Sequence, residues 1–162
     1  MYSPYLRRGE LDPIEKRELL NQIGVIIAEK APNGWERLVY AIGTVVEHGT
    51  VNLIVEFPDG TSRRSSPPAE VLPMIDKLRV GMYLEGKGTW FSMEYVITRP
   101  GNYNVHFNYD QDPEITFPTP QGYTQDLKYF PRDEEHIPDW LRQRLRDEAE
   151  GRVGMPFSED DG

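Results

Sequence analysis

Residues 89–109, TWFSMEYVITRPGNYNVHFNY, carry the clearest periodicity in the chain. Apolar side chains occupy every second position on both sides of Pro100-Gly101-Asn102, which is a turn signal. This pattern predicts a β-hairpin with one face on a core and the other towards water. The side chains expected on the core face are Thr89, Phe91, Met93, Tyr95, Ile97, Tyr103, Val105, Phe107 and Tyr109.

The segment before the hairpin is predicted to contain two helices and three strands. Asp12-Pro13-Ile14-Glu15 is a helix start, and helical spacing of apolar residues continues to Ala31-Pro32-Asn33-Gly34. Strands are expected at about 35–47, 51–58 and 61–64. A second helix follows Pro67-Pro68, with an apolar face made by Val71, Leu72, Ile75, Leu78 and Met82.

The segment after the hairpin loses this periodicity. Residues 110–132 contain four prolines, and they are expected to form an ordered loop without helix or strand. The aromatic side chains expected to pin that loop are Phe117, Tyr123, Tyr129 and Phe130. Trp90 is out of phase with its strand, so it is either covered by this loop or exposed as an interface anchor.

A final amphipathic helix is expected at 137–150. The fold class that follows is α+β, with an antiparallel β-sheet packed against N-terminal, central and C-terminal helices. We expect a single domain at residues 12–150, an N-terminal arm at 1–11 and a disordered acidic tail at 151–162.

The net charge of −9 is concentrated in the last third of the chain. Residues 110–162 carry 6 Lys/Arg against 14 Asp/Glu, a net of −8, whereas residues 1–65 carry 8 against 9 and residues 66–109 carry 4 of each. A one-sided acidic surface can steer a basic partner, and a solvated acidic tail is the simpler interpretation. No segment has a basic excess, which disfavours nucleic acid as a partner.

Composition also indicates the cellular compartment in which the protein is expected. The chain has no cysteine, so it has neither disulfides nor a thiolate metal site, and this fits a reducing compartment. Residues 1–9 lack the apolar segment of a signal peptide, and no run reaches the roughly 18 apolar residues of a membrane span. These features indicate a cytoplasmic location and no membrane partner.

Residues with catalytic or metal-binding potential are few. No phosphate-binding loop, GxSxG or HExxH motif occurs, and His48, His106 and His136 are isolated from one another. We therefore expect no catalytic residue and no cofactor. The best candidate for a metal is Asp110-Gln111-Asp112-Pro113-Glu114 with His106 before it, because alternating carboxylates can hold a hard cation.

That candidate leaves three interpretations open: an acidic loop at a strand end, a surface for protein contact, and a metal-dependent hydrolase using His106, Asp110 and Asp112. Pro113 stands where a calcium loop is flexible, and the later glycine and glutamate of such a loop are missing. The expectation is therefore that no metal is bound.

Three stretches together resemble the YezG-like antitoxin (immunity) family, in its actinobacterial form. They are Gly34-Trp35-Glu36, then Met82-Tyr83-Leu84-Glu85-Gly86 with Thr89-Trp90-Phe91, and above all residues 101–110, which are similar to the family pattern Gly-x-[Tyr/Phe]-x-[Val/Ile]-x-Phe-x-Tyr-Asp. Tyr129-Phe130-Pro131-Arg132 and the segment 136–141 resemble the family's C-terminal part. The resemblance covers about residues 12–146.

The resemblance implies a cytoplasmic immunity protein that is not an enzyme. Its implied partner is a cognate toxin C-terminal domain, a nuclease or an NAD-hydrolysing toxin, which it neutralises by occlusion. The family supplies no site residues. From charge alone, the candidate partner-binding residues are Asp110, Asp112, Glu114, Asp126, Asp133, Glu134 and Glu135. A small cytosolic adaptor without a toxin partner is the alternative, and the oligomeric state is left open.

Overall fold

The computed structural model describes residues 8–115, 117 and 119–152. Its elements in chain order are α1 (Pro13–Lys30), β1 (Arg37–Thr44), β2 (Gly49–Glu56), β3 (Ser62–Ser65), α2 (Leu72–Gly81), β4 (Ser92–Thr98), β5 (Asn102–Asn108), α3 (Gly122–Tyr129) and α4 (Asp139–Ala149). Single 3-10 turns at Ala69–Val71 and Glu134–His136 precede α2 and α4. The fold is α+β, as the sequence predicts.

The five strands form one antiparallel sheet in the order β3-β2-β1-β4-β5. Alternate residues of the strands point to one face, where α1 and α2 cover them. We call the opposite side the helix-free face. The main core lies between the sheet and these two helices, and its largest fully buried side chains include Tyr40, Tyr95 and Trp90.

Helix α1 begins and packs as its sequence predicts. Asp12 accepts a hydrogen bond from the Glu15 backbone N–H at 2.9 Å, which satisfies one of the free donors of the first turn. Gly24, which weakens a helix, is required by packing, because a Cβ at this position would clash with the Tyr95 hydroxyl oxygen. The Tyr95 hydroxyl donates instead to the Leu20 carbonyl at 2.6 Å.

The prediction for residues 110–132 was wrong in one respect, because α3 lies within this segment. Phe91 is also not on the face of Met93. It lies in a second apolar cluster, the C-terminal cluster, whose buried members are Val45, Phe91, Phe117, Tyr123 and Leu141. The strand begins only at Ser92, so the alternation seen from Met93 onwards does not extend back to Phe91.

Trp90 is buried, but not beneath the aromatic segment. It packs in the main core, with its ring centroid 5.5 Å from that of Phe107. Phe107 and Val105 are half-buried on the helix-covered face, as the alternation predicts. The expectations for residues 1–7 of the arm and 153–162 of the tail lie outside the described residues. Within the described ranges, every helix is too short or too polar to cross a bilayer.

Candidate partner-binding surface

A buried ion pair joins the C-terminal third to α2 and to segments next to the sheet. The Arg79 guanidinium of α2 donates two hydrogen bonds to Asp126 of α3, at 2.7 and 2.8 Å, and a third to the Trp90 carbonyl at 2.8 Å. Asp126 also accepts the Val46 N–H at 2.9 Å. A bidentate pair with its remaining groups satisfied is the geometry in which burying two charges is tolerated.

A second buried arginine ties the end of β5 to the segment before α4. The Arg132 side chain is 1% exposed and donates to the carbonyls of Thr89, Tyr109 and His136. It also donates to the Asp110 carboxylate at 3.2 Å, and its guanidinium lies 5.0 Å from the centroid of the Phe91 ring. Burial lowers the pKa of Arg132, and the Asp110 carboxylate opposes that shift. The ion pair therefore also favours the charged guanidinium.

Glu148 of α4 closes the start of α3. Its carboxylate accepts the backbone N–H groups of Tyr123 and Thr124 at 2.9 and 2.7 Å, and the Thr124 hydroxyl at 2.6 Å. The first turn of a helix has free N–H donors, and negative charge is stabilised there. This buried carboxylate was not singled out from the sequence, because its capping partner lies 25 residues away.

Most of the candidate acidic residues lie on the surface around these anchors. We call Asp110, Asp112, Glu114, Asp133, Glu134 and Glu135 the acidic surface. Asp110 is 75% exposed although its partner Arg132 is buried. Asp112 contacts Arg144 at 3.3 Å and accepts the Glu114 N–H at 2.8 Å. Arg132 donates hydrogen bonds to both Asp110 and the His136 carbonyl. It therefore links the two segments that carry the acidic surface, residues 110–114 and 133–135.

Asp126 does not belong to this surface. It is 2% exposed, and its carboxylate is used by Arg79 and Val46. Its placement corrects the expectation that it contacts a partner. This burial could not be predicted locally, because the partner of Asp126, Arg79, is 47 positions away in the chain.

The acidic surface borders a shallow groove on the helix-free face. The groove has a volume of about 360 Å³, and its polar lining includes Asn52, Glu94, His106, Asn108 and Asp112. Asn108 is fixed at the rim: its side-chain amide donates to the Gln111 carbonyl, and its oxygen accepts the Gln111 N–H. The groove adds neutral hydrogen-bonding groups beside the carboxylates.

The three side chains of the hydrolase interpretation have separate partners. Asp110 faces Arg132, Asp112 faces Arg144, and His106 lies opposite Glu94 on the neighbouring strand. In the described part of the chain, no three His, Asp or Glu side chains are grouped as a metal site requires. The arrangement presents held carboxylates to solvent, which suits recognition of cations on a partner.

This chain was compared with protein-family models and with curated proteins. Neither the scan against protein-family models nor the search of curated proteins found a match to this chain. The resemblance to YezG-like antitoxins therefore remains an expectation drawn from the sequence.

Proposed function

We propose that this chain is an immunity protein of the YezG-like kind, which binds and neutralises a basic toxin domain through the acidic surface. The proposal places the protein in the cytoplasm and gives it no catalytic role. The expected toxin is a nuclease or an NAD-hydrolysing enzyme. The inhibition expected is occlusion of the toxin by protein contact.

The observation that carries the proposal is the arrangement of Asp110 on Arg132. A flexible surface carboxylate loses side-chain entropy when it binds. Asp110 is already fixed by a guanidinium that three backbone carbonyls hold in place, yet most of its surface remains open. Such a pre-positioned carboxylate can bind a partner cation with little further ordering.

The charge distribution supports the same surface. The side chains of Glu134 and Glu135 are 88% and 78% exposed, although the Glu134 carboxylate lies 3.5 Å from the Arg142 guanidinium. A nuclease needs positive charge to hold its polyanionic substrate. An acidic inhibitor can cover that positive charge and associate rapidly because of long-range attraction.

The test is co-expression with the product of the neighbouring gene. We expect that product to be toxic alone, harmless with this chain, and to co-purify with it. A triple variant, Asp110→Asn/Glu134→Gln/Glu135→Gln, should lose both protection and co-purification. Glu29→Gln, which removes an exposed carboxylate from α1, is the matched control and should protect like wild type.

Two outcomes contradict the proposal. A neighbouring product that is neither toxic nor bound would favour an adaptor without a toxin partner. Full protection by a correctly folded triple variant, with circular dichroism and melting temperature like wild type, would move the interface away from the acidic surface.

A further inference from the structure

The two edges of the sheet differ in their protection against pairing with another strand. β3 has four residues, Ser62–Ser65, and two of them are arginines. β5 has seven residues, Asn102–Asn108, and none carries a formal charge when His106 is neutral. Short length and charged side chains are two of the devices that block edge-to-edge pairing, and of these two strands only β3 has them.

The outer edge of β5 also has free backbone groups in the correct phase. The bonds from Arg99 N–H to the Glu36 carbonyl and from Thr44 N–H to the Phe91 carbonyl show that odd-numbered residues of β4 bond β1. Even-numbered residues of β4 therefore bond β5, at positions 102, 104, 106 and 108. The N–H and C=O of Tyr103, Val105 and Phe107 consequently point away from the sheet.

Those outward groups have no other partner within the described ranges. Among the described residues, no turn, loop or cap hydrogen bond uses the backbone N–H or C=O of Tyr103, Val105 or Phe107. An extended segment placed along β5 would meet three donors and three acceptors at ladder spacing.

The sequence of β5 indicates which segment fits. It reads NYNVHFN, which is close to a palindrome in chemistry about Val105. In antiparallel pairing with a second copy, Val105 faces Val105, Tyr103 faces Phe107, Asn104 faces His106 and Asn102 faces Asn108. Each residue then lies opposite one of the same class, whether aliphatic, aromatic or polar. The aromatic pairs add cross-strand stabilisation. A twofold axis generates this self-complementarity.

The exposed apolar side chains of α1 lie beside the same edge. The Tyr103 hydroxyl donates to Asn21 of α1 at 2.7 Å. Ile14 and Val25 lie seven and four residues from Asn21, so all three share one stripe of the helix. Ile14 is 72% exposed, Val25 is 55% exposed and Tyr103 is 40% exposed. They are three of the six large exposed apolar side chains among the described residues.

We propose that two copies of this chain associate by antiparallel pairing of their β5 strands about a twofold axis at Val105. The two sheets join into one of ten strands, and the two α1 stripes lie on the same side of it. This inference goes beyond the proposed function and does not depend on it. Asn108, three residues from the axis, lies about 10 Å along the strand from it. The two acidic surfaces therefore lie at opposite ends of the joined edge and stay accessible.

The test combines oligomeric state with amide exchange. Sedimentation of the wild-type chain should give twice its 18.7 kDa mass. Slow hydrogen exchange should cover the amides of Tyr103, Val105 and Phe107, which are unbonded in one copy alone. Asn104→Lys/His106→Lys places lysine opposite lysine twice across the axis, on the helix-free face, where both side chains are exposed. This double-lysine variant should raise the dissociation constant at least about ten-fold and release those three amides.

A matched variant isolates the effect of charge. Asn104→Glu/His106→Lys differs from the first variant only at position 104, and it places opposite charges across the axis. It should remain associated within about three-fold of wild type. A wild-type chain that is monomeric at about 0.1 mM, or an associated form whose Tyr103, Val105 and Phe107 amides exchange freely, would overturn the proposal.

Discussion

The main core and the C-terminal cluster are held together by different kinds of contact. The main core is almost entirely apolar, and its order comes from alternating strand residues packed on α1 and α2. The C-terminal cluster has aromatic rings too, but charged groups join it to the rest of the fold. Buried Arg79 pairs with buried Asp126, buried Arg132 pairs with the exposed Asp110, and buried Glu148 accepts hydrogen bonds from the start of α3. The first region tolerates changes of similar volume, whereas the second requires particular partners.

This difference has a functional consequence. Apart from hydroxyl bonds such as that of Tyr95 to Leu20, the main core is held by close packing of apolar side chains, so that region serves as a scaffold. The buried charged groups around the C-terminal cluster fix backbone and side-chain positions near the acidic surface. Arg132 in particular holds Asp110, Tyr109 and His136 in one arrangement. The acidic surface is thus supported by the region with the more specific contacts.

The largest expected effect is the loss of the Arg79–Asp126 pair. Asp126→Leu should lower the free energy of unfolding by about 3–5 kcal/mol, because it leaves a buried guanidinium without its counter-charge. Urea denaturation monitored by tryptophan fluorescence measures this. The double variant Arg79→Met/Asp126→Leu should lose less than Asp126→Leu alone. An equal or larger loss in the double variant would mean that the charges themselves are not what the pair contributes.

A smaller effect is expected at the start of α3. Glu148→Gln should cost about 1–3 kcal/mol, because an amide cannot accept from all three donors that the carboxylate satisfies. The control is Glu150→Gln, at an exposed position just after α4, which should change the unfolding free energy by less than about 0.5 kcal/mol. Indistinguishable losses at the two positions would show that the cap does not stabilise the cluster.

The smallest effect is expected in the main core. The buried Tyr40 hydroxyl has no hydrogen-bond partner among the described residues, whereas the Tyr95 hydroxyl donates to Leu20. Tyr40→Phe should leave the unfolding free energy unchanged or raise it by up to about 1 kcal/mol, while Tyr95→Phe should lower it by about 1 kcal/mol. A clear loss in Tyr40→Phe would contradict this account of the core.

The buried Tyr40 hydroxyl also makes the unfolding free energy depend on pH. Burial raises the pKa of Tyr40 to about 12 from the ordinary value of 10.0. The folded state therefore holds the phenol proton more tightly than the unfolded state does. The stability that this contributes is fully present below pH 10 and is lost as the pH rises towards 12. Tyr40→Phe should show a shallower alkaline loss of stability than wild type in the same denaturation experiment.

The contrast between the two regions also decides what the sequence predicts. Helix α1, the three early strands and the hairpin follow local periods of 3.6 and 2, which are read directly from neighbouring residues. Asp126 and Glu148 are residue types that usually lie on the surface. Their burial depends on partners that are distant in sequence. The position of α3 was missed because its surrounding prolines indicate a loop and its cap comes from α4. The exposed carboxylates were identified by charge alone, without the arginines that hold them.

We propose that the acidic surface binds a basic partner through two kinds of carboxylate: the exposed Glu134 and Glu135, and Asp110, which Arg132 holds in place. Association kinetics with the neighbouring gene's product, at two salt concentrations, test it directly. Glu134→Gln/Glu135→Gln should lower the association rate and its salt dependence, because these exposed charges act at long range. Asp110→Asn should cost about 2–5 kcal/mol of affinity, mainly through faster dissociation, because this carboxylate is held in place. Unchanged rates in both variants at both salt concentrations would contradict the claim.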